Sequence, residues 1–153
     1  RFTSVLHMAK EIYHRKAKGV VMFNRFFEPD IDVDNMSIVG ADVLSSRSEL
    51  RNNLRTVALC AAEVPTLDIA VSTGVHTGED VVKSLLAGEK ATQVCTALYS
   101  GLDRIAEMNA YVEKWMVDHT CKTIEEFRGR LSYIHEHEES YQRVQYMKFF
   151  PKG

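Results

Sequence analysis

Three short apolar runs, each leaving through a polar turn into a stretch of helical period, constrain this chain more than any other feature. The runs are Val20 to Asn24, Leu67 to Val71 and Ala91 to Cys95. Unbroken runs of branched residues suit parallel strands buried on both faces, because an antiparallel strand with one wet face alternates apolar and polar residues instead. Helical spacing fills the intervals. Val5, Met8 and Ile12, with Ala9 on the flank, make a first helix, for which Gly19 is the expected stop. Leu50, Leu54, Val57, Ala58 and Ala61 keep the period up to Glu63, with Ser46 or Ser48 as cap and Pro65 barring continuation. Thr77 caps a third helix with Val81, Val82, Leu85 and Leu86 as its buried stripe and Gly88 as its end. Ile105, Met108, Val112, Trp115 and Met116 define a fourth, from about Leu102 to His119. Helix and strand alternating in this way imply an α/β fold with parallel strands and right-handed crossovers.

Two segments fall outside the alternation. From Arg25 to Ser46 the chain is irregular and acidic, which reads as a long functional loop with room for a short hairpin through Ser37 to Val43. Beyond His119, Thr123 to Phe127 reads as a short capped helix and Ser140 to Phe150 as another. These are terminal decorations on the main body. The division expected is therefore 1–118 for the α/β part and 119–153 for a helical extension. The chain also opens on Arg1 inside an amphipathic pattern with no capping residue ahead of it, which has the look of a truncation.

Composition excludes several classes. With 153 residues, 45% of them hydrophobic and 26% charged, the chain is long enough for one packed domain and too apolar for disorder. Nineteen basic against 21 acidic side chains give a net charge of -2, so no general positive field attracts nucleic acid or anionic lipid. The three cysteines, Cys60, Cys95 and Cys121, are widely spaced and form no CxxC pair. They suggest neither a disulfide framework nor a zinc site, and a reducing cytoplasm fits them best. No run approaches the length of a membrane span.

The chemistry gathers where strands give way to helices. In closed βα barrels the loops after the last two strands often build a phosphate site from backbone amides at a glycine turn and a helix start. Gly74-Val75 and Cys95-Thr96 stand in those positions, the glycine allowing close approach and Thr96 adding a hydroxyl. Spacing alone leaves plain turn geometry ahead of an anion site. His76, in the same turn, either lines the site or covers the loop from outside. His135 and His137 lack the spacing of four and the further ligands of a helical metal pair, so they read as a solvated segment. Asp30, Asp32 and Asp34 lack the Gly and Glu of a calcium loop and read as solvated too. No metal is expected. Trp115 and the six methionines read as core.

The stretch Gly19 to Asp32 (GVVMFNRFFEPDID), Leu44-Ser45-Ser46 to Leu54, Thr73 to Lys83 (TGVHTGEDVVK) and Thr96-Ala97-Leu98 together resemble the dihydroorotate dehydrogenase-like flavoproteins of the FMN-binding barrel superfamily. The resemblance runs through the chain in order, and FNRFF-PDID is its specific part. It implies a (β/α)8 TIM barrel, of which this chain matches the C-terminal half. Such barrels need about 250 residues and eight strands, whereas about three βα units are present here. By the resemblance, Gly74, Val75, Cys95 through its backbone, and Thr96 hold the FMN phosphate, and Asn24 faces the flavin and the pyrimidine substrate. An amide there can donate to a ring carbonyl and accept from a ring N–H.

Two departures qualify this. The family commonly has Gly-Gly where this chain has Thr73-Gly74, which puts a branched side chain at one point of approach to phosphate. The family's proton-abstracting Cys or Ser and its strand lysine lie upstream of the matched region, and none of the three cysteines here takes the base position. The function implied is thus part of an FMN-dependent oxidoreductase converting dihydroorotate to orotate in pyrimidine biosynthesis, inactive as a fragment. Its partners would be a pyrimidine substrate, the N-terminal half of the barrel and further copies in a homo-oligomer. The alternatives are a non-catalytic half-barrel that folds by association, and a flavin reductase of another pyrimidine or an enone.

Overall fold

The structure, a computed structural model, describes residues 4–132. Helix α1 (Val5–His14) leads into strand β1 (Gly19–Met22), then a hairpin of β2 (Pro29–Asp32) and β3 (Ser37–Gly40). There follow α2 (Leu50–Glu63), β4 (Asp68–Val71), α3 (Gly78–Ala87), β5 (Ala91–Thr92) and α4 (Arg104–Asp118). Single 3₁₀ turns stand at Arg47–Glu49, Thr96–Ser100 and Ile124–Glu126. Strands β1, β4 and β5 form one parallel sheet in that order, with β4 central, and β2 and β3 pair antiparallel as a separate ribbon. The α/β alternation expected from the sequence is the observed one.

The sheet is covered on one face. Val20, Ile69, Met22 and Val71 point toward the helices, where α2 packs on β4 between α1 and α3, and their neighbours in the core include Val57, Ala58 and Cys60. Full burial of each such aliphatic side chain contributes roughly 1.5–3 kcal/mol. The register partners Val21 and Ala70 lie on the opposite face, and Val21 is 45% exposed. Strands expected to be buried on both sides therefore have one open face, the side that would be the interior of a closed barrel.

Several local expectations are corrected. Helix α1 has its own cap, since Ser4 accepts from His7 N–H at 3.3 Å, and it stops at His14 before Lys16 turns left-handed (φ 69°). Gly19 opens β1 rather than closing the helix. The hairpin occupies residues 29–40, earlier than the sequence suggested, because Asp32 accepts from the amides of Asp34 and Asn35 and closes the tight turn between its strands. Strand β5 is shorter than the run from Ala91 to Cys95. Its register with β4 is one-to-one, Ala70 with Ala91 and Val71 with Thr92, and Gln93 N–H donates the last bond of the ladder to Val71 C=O at 2.8 Å. β4 itself stops at Val71, so the run beyond Gln93 has no strand beside it. Met36 at the hairpin tip is 90% exposed, not core, whereas Trp115 is half-buried, stacked on His119 and tilted against the fully buried Phe127.

Helices α2 and α3 begin as the sequence indicates. Ser46 and Glu49 form a capping box leading through the 3₁₀ turn into α2, Thr77 and Asp80 form another at α3, and Gly88 (φ 113°) closes α3. After α4, Phe127 packs between α3 and α4, and Gly129 N–H and Leu131 N–H donate to Leu85 and Leu86 carbonyls at the end of α3. The helix expected at 140–150 and the pair His135 and His137 lie outside the described residues.

Candidate functional site

Because β1, β4 and β5 run parallel, their C-terminal ends share one edge, and the segments leaving them enclose a cavity of about 140 Å³. It has room for a small oxyanion. Asn24 and Arg25 line it from beyond β1, Ser72 to Val75 from beyond β4, and Gln93, Cys95 and Thr96 from beyond β5; Val43 and Ser45 close the remaining side. All five residues singled out from the sequence, Asn24, Gly74, Val75, Cys95 and Thr96, meet at this cavity. Among the described residues its lining holds one cation, Arg25, and no carboxylate.

The Thr73-Gly74 turn lines it. Both residues have positive φ, 74° and 84°. Buried Asn53 of α2 donates to Ser72 C=O at 2.7 Å, and Thr73 Oγ1 donates to Phe23 C=O at 2.9 Å, which fixes the turn from behind. The N–H groups of Gly74 and Val75, in buried residues, donate to no acceptor among the described residues. Buried backbone N–H groups are almost always paired, so a pair left over at a cavity marks a place for an acceptor. Gly74 is required on a second ground, since a Cβ there would lie 2.4 Å from Leu50 N. The missing side chain lets α2 approach as much as it lets an anion approach.

Two residues on, the amides are already used. His76 N–H and Thr77 N–H donate to Asp80 Oδ2 at 3.1 and 3.0 Å, as does Thr77 Oγ1. Arg47 reaches over from the start of α2 to both oxygens of Asp80, at 3.0 and 2.8 Å, and to Glu79 at 3.0 Å. Burial pushes the Asp80 carboxyl up, but Arg47 and the donors from His76 and Thr77 outweigh it and hold it below its ordinary value. Asp80 thus occupies the N-terminus of α3 itself, so that helix end is not part of the anion site expected from the sequence.

The wall opposite comes from the loop before α2. Ser45 donates to Thr96 Oγ1 from its N–H at 3.2 Å and from its hydroxyl at 2.9 Å, and its Oγ lies 3.3 Å from His76 Nε2. Arg25 donates to the Asp42 carbonyl and to Glu49 Oε2, the latter at 3.0 Å. Asn53 and Arg47 were given no role in the sequence, and Ser45 entered only within the stretch Leu44-Ser45-Ser46 to Leu54 that carries the family resemblance. Among the described residues no group of three His, Cys, Asp or Glu could hold a metal ion.

No model of a known protein family matches the chain. Among curated proteins it is similar to the chloroplastic dihydropyrimidine dehydrogenase (NADP(+)) of Arabidopsis thaliana, 36% identical over 72 residues, which span 46% of this chain and 17% of that protein. Among solved structures it is similar to the DHODH of Eimeria tenella in complex with ferulenol, with a TM-score of 0.66, 18% identity, and 81% of this chain against 33% of that one. The ligand-free form of that protein gives a TM-score of 0.66 at 17% identity, covering 81% and 35%. This chain has the fold of the matched third of those structures, in line with the dihydroorotate dehydrogenase-like resemblance in its sequence. The spans are partial: about a third of each solved chain and about a sixth of the plant protein.

Proposed function

We propose that this chain is the C-terminal portion of an FMN-dependent dehydrogenase of the dihydroorotate dehydrogenase type, and that its cleft receives the cofactor's phosphate. One observation carries the reading: the unspent amides of Gly74 and Val75 share a carboxylate-free cavity with the Thr96 hydroxyl and the Cys95 backbone. That donor set suits a phosphate monoester, which accepts hydrogen bonds and makes none in its ionised form. FMN bound there would supply the acceptor for a hydride from a dihydropyrimidine. Asn24, on the same edge of the sheet, would orient the ring by donating to a carbonyl and accepting from an N–H. The base that takes the proton is assigned to no residue of this chain.

The test is a titration with FMN and riboflavin, followed by flavin fluorescence, of the protein with the remaining barrel supplied. FMN is expected to bind at least tenfold more tightly than riboflavin; equal affinities, or none, contradict the reading. The similarity to a dihydropyrimidine dehydrogenase supports testing uracil-type dihydropyrimidines beside dihydroorotate, and turnover assays separate the two. A role in pyrimidine biosynthesis in the cytoplasm stays part of the proposal. No helix among the described residues is long and apolar enough to cross a membrane, and the plant relative is chloroplastic.

A second reading is favoured by the open sheet face at Val21 and Ala70 and by the paired, exposed Ile31 and Ile38 of the hairpin. A chain with these surfaces gains by associating with a partner half or with a second copy, without catalysis of its own. Sedimentation decides: a stable monomer argues against it.

A further inference from the structure

We infer that His76 is a positioning residue: through Ser45 it sets the direction of a hydroxyl relay that leaves the Thr96 hydrogen free to donate to an oxyanion in the cleft. The inference rests on the reading of that cleft as a phosphate site.

The argument is a count of donors and acceptors. A threonine hydroxyl has two lone pairs and one hydrogen. Thr96 Oγ1 accepts from both the N–H and the O–H of Ser45, so its lone pairs are taken and its hydrogen is available to the cavity it lines. Ser45 has then spent its own hydrogen and can only accept at the contact with His76 Nε2, 3.3 Å away. In this arrangement Nε2 carries a proton. Were Nε2 bare, the Ser45 hydrogen would turn to it, the Thr96 hydrogen would turn to Ser45, and the Thr96 lone pair not taken by Ser45 N–H would face the anion. One ring nitrogen therefore decides whether the wall attracts or repels an oxyanion. The backbone of His76 is pinned for the task by its N–H bond to Asp80.

A protonated imidazole carries a hydrogen on both nitrogens and enforces the donating direction, whereas the neutral ring can adopt either tautomer. The charged and titratable groups around it are Glu79 and Asp80 on α3, Arg47 bridging both, Arg25 and Glu49 on the far wall, and Cys95 beyond β5. Burial acts to raise Asp80 and Glu49, yet their donors keep both below the ordinary carboxylate range. Glu79 is held down by Lys83 and Arg47, so all three carboxylates stay ionised above pH 5.5.

Sulfate, whose charge is constant over this range, is the probe, titrated calorimetrically into the full-length protein at pH 5.5 and 7.5. Wild type is expected to bind it three- to tenfold more tightly at pH 5.5. His76→Leu should bind three- to tenfold more weakly than wild type at pH 5.5, with no pH dependence. His76→Gln, whose amide can still donate to Ser45, should recover affinity but not the pH dependence, and it carries the test if the leucine variant does not fold. Ser45→Ala should also lose the pH dependence although His76 remains. A pH dependence retained in Ser45→Ala would mean that the histidine acts by charge alone and would overturn the relay. A flat wild-type profile overturns the relay while leaving the phosphate site standing, and no sulfate binding by any form removes both.

Discussion

Helix α3 has a buried carboxyl at each end, and the two are treated in opposite ways. At the N-terminal end Asp80, 2% exposed, accepts from two backbone amides, a threonine hydroxyl and the Arg47 guanidinium, and stays ionised. Just past the C-terminal end Glu89, fully buried, accepts among the described residues from Val71 N–H at 3.2 Å and from Thr92 Oγ1 alone, and its burial pushes it up to about 8. Those donors and the nearby charge of Arg128 pull the other way without prevailing. The helix dipole adds to the contrast, since it favours negative charge at the first end and disfavours it at the second. One end lies beside the cleft and uses an ionised carboxylate to organise the turn that carries Gly74 and Val75. The other ties the end of β4 to β5, through Val71 N–H and Thr92 Oγ1, with a neutral acid and serves stability.

The largest effect belongs to the lower half of this contrast, which predicts a pH effect of several kcal/mol. Folded Glu89 keeps a proton that the unfolded chain releases from its ordinary 4.5 upward, so stability should fall as pH rises from there toward 8 and level off above it. Glu89→Gln should flatten that slope while keeping an acceptor for Val71 N–H; thermal melts at pH 5 and 8.5 read it. Asp80, shifted downward, contributes a loss of the opposite sense, only at pH below its ordinary 3.8. The next test removes the upper half. Asp80→Ala leaves the part-buried amides of His76 and Thr77 without their acceptor and Arg47 with Glu79 alone, and about 2–3 kcal/mol of stability should be lost in urea denaturation. A loss below about 1 kcal/mol would mean that the network does not hold the turn. The smallest effect concerns Thr73, a β-branched residue at φ 74°. Thr73→Gly relieves roughly 1–2 kcal/mol of backbone strain and gives up the bond to Phe23, so a net gain of at most about 1 kcal/mol is expected. Its sulfate affinity should rise if the branched side chain obstructs the anion, and stay unchanged if it does not.

What the sequence makes legible here is what lies close along the chain. The periods of α2 and α3, the caps Ser46 and Thr77, the glycine at 88 and the parallel order of three strands follow from residues within a few positions of one another. Gly74 and Thr96 at the strand ends were legible for the same reason, because the alternation places them on one edge, whereas Asn24 was singled out by the family resemblance. Contacts between distant residues were not. Ser45 reaches Thr96 across 51 positions, and Arg47 reaches Asp80 across 33, from a stretch whose composition reads only as loop. The early end of β5 was hidden because it is set by β4, 20 positions back, which stops at Val71 and leaves the rest of the run from Ala91 to Cys95 unpaired. The open sheet face was hidden as well, since an apolar run has the same appearance whether or not its second side is covered.

Backbone amide spectra recorded during a titration with inorganic phosphate test the central claim most directly. The N–H signals of Gly74, Val75 and Thr96 should move together and saturate with one affinity. Those of His76 and Thr77, engaged by Asp80, should move much less, and Glu89 at the far end of α3 should not move. Saturable shifts centred on His76 and Thr77, or no saturable shift at Gly74 and Val75, would contradict the account.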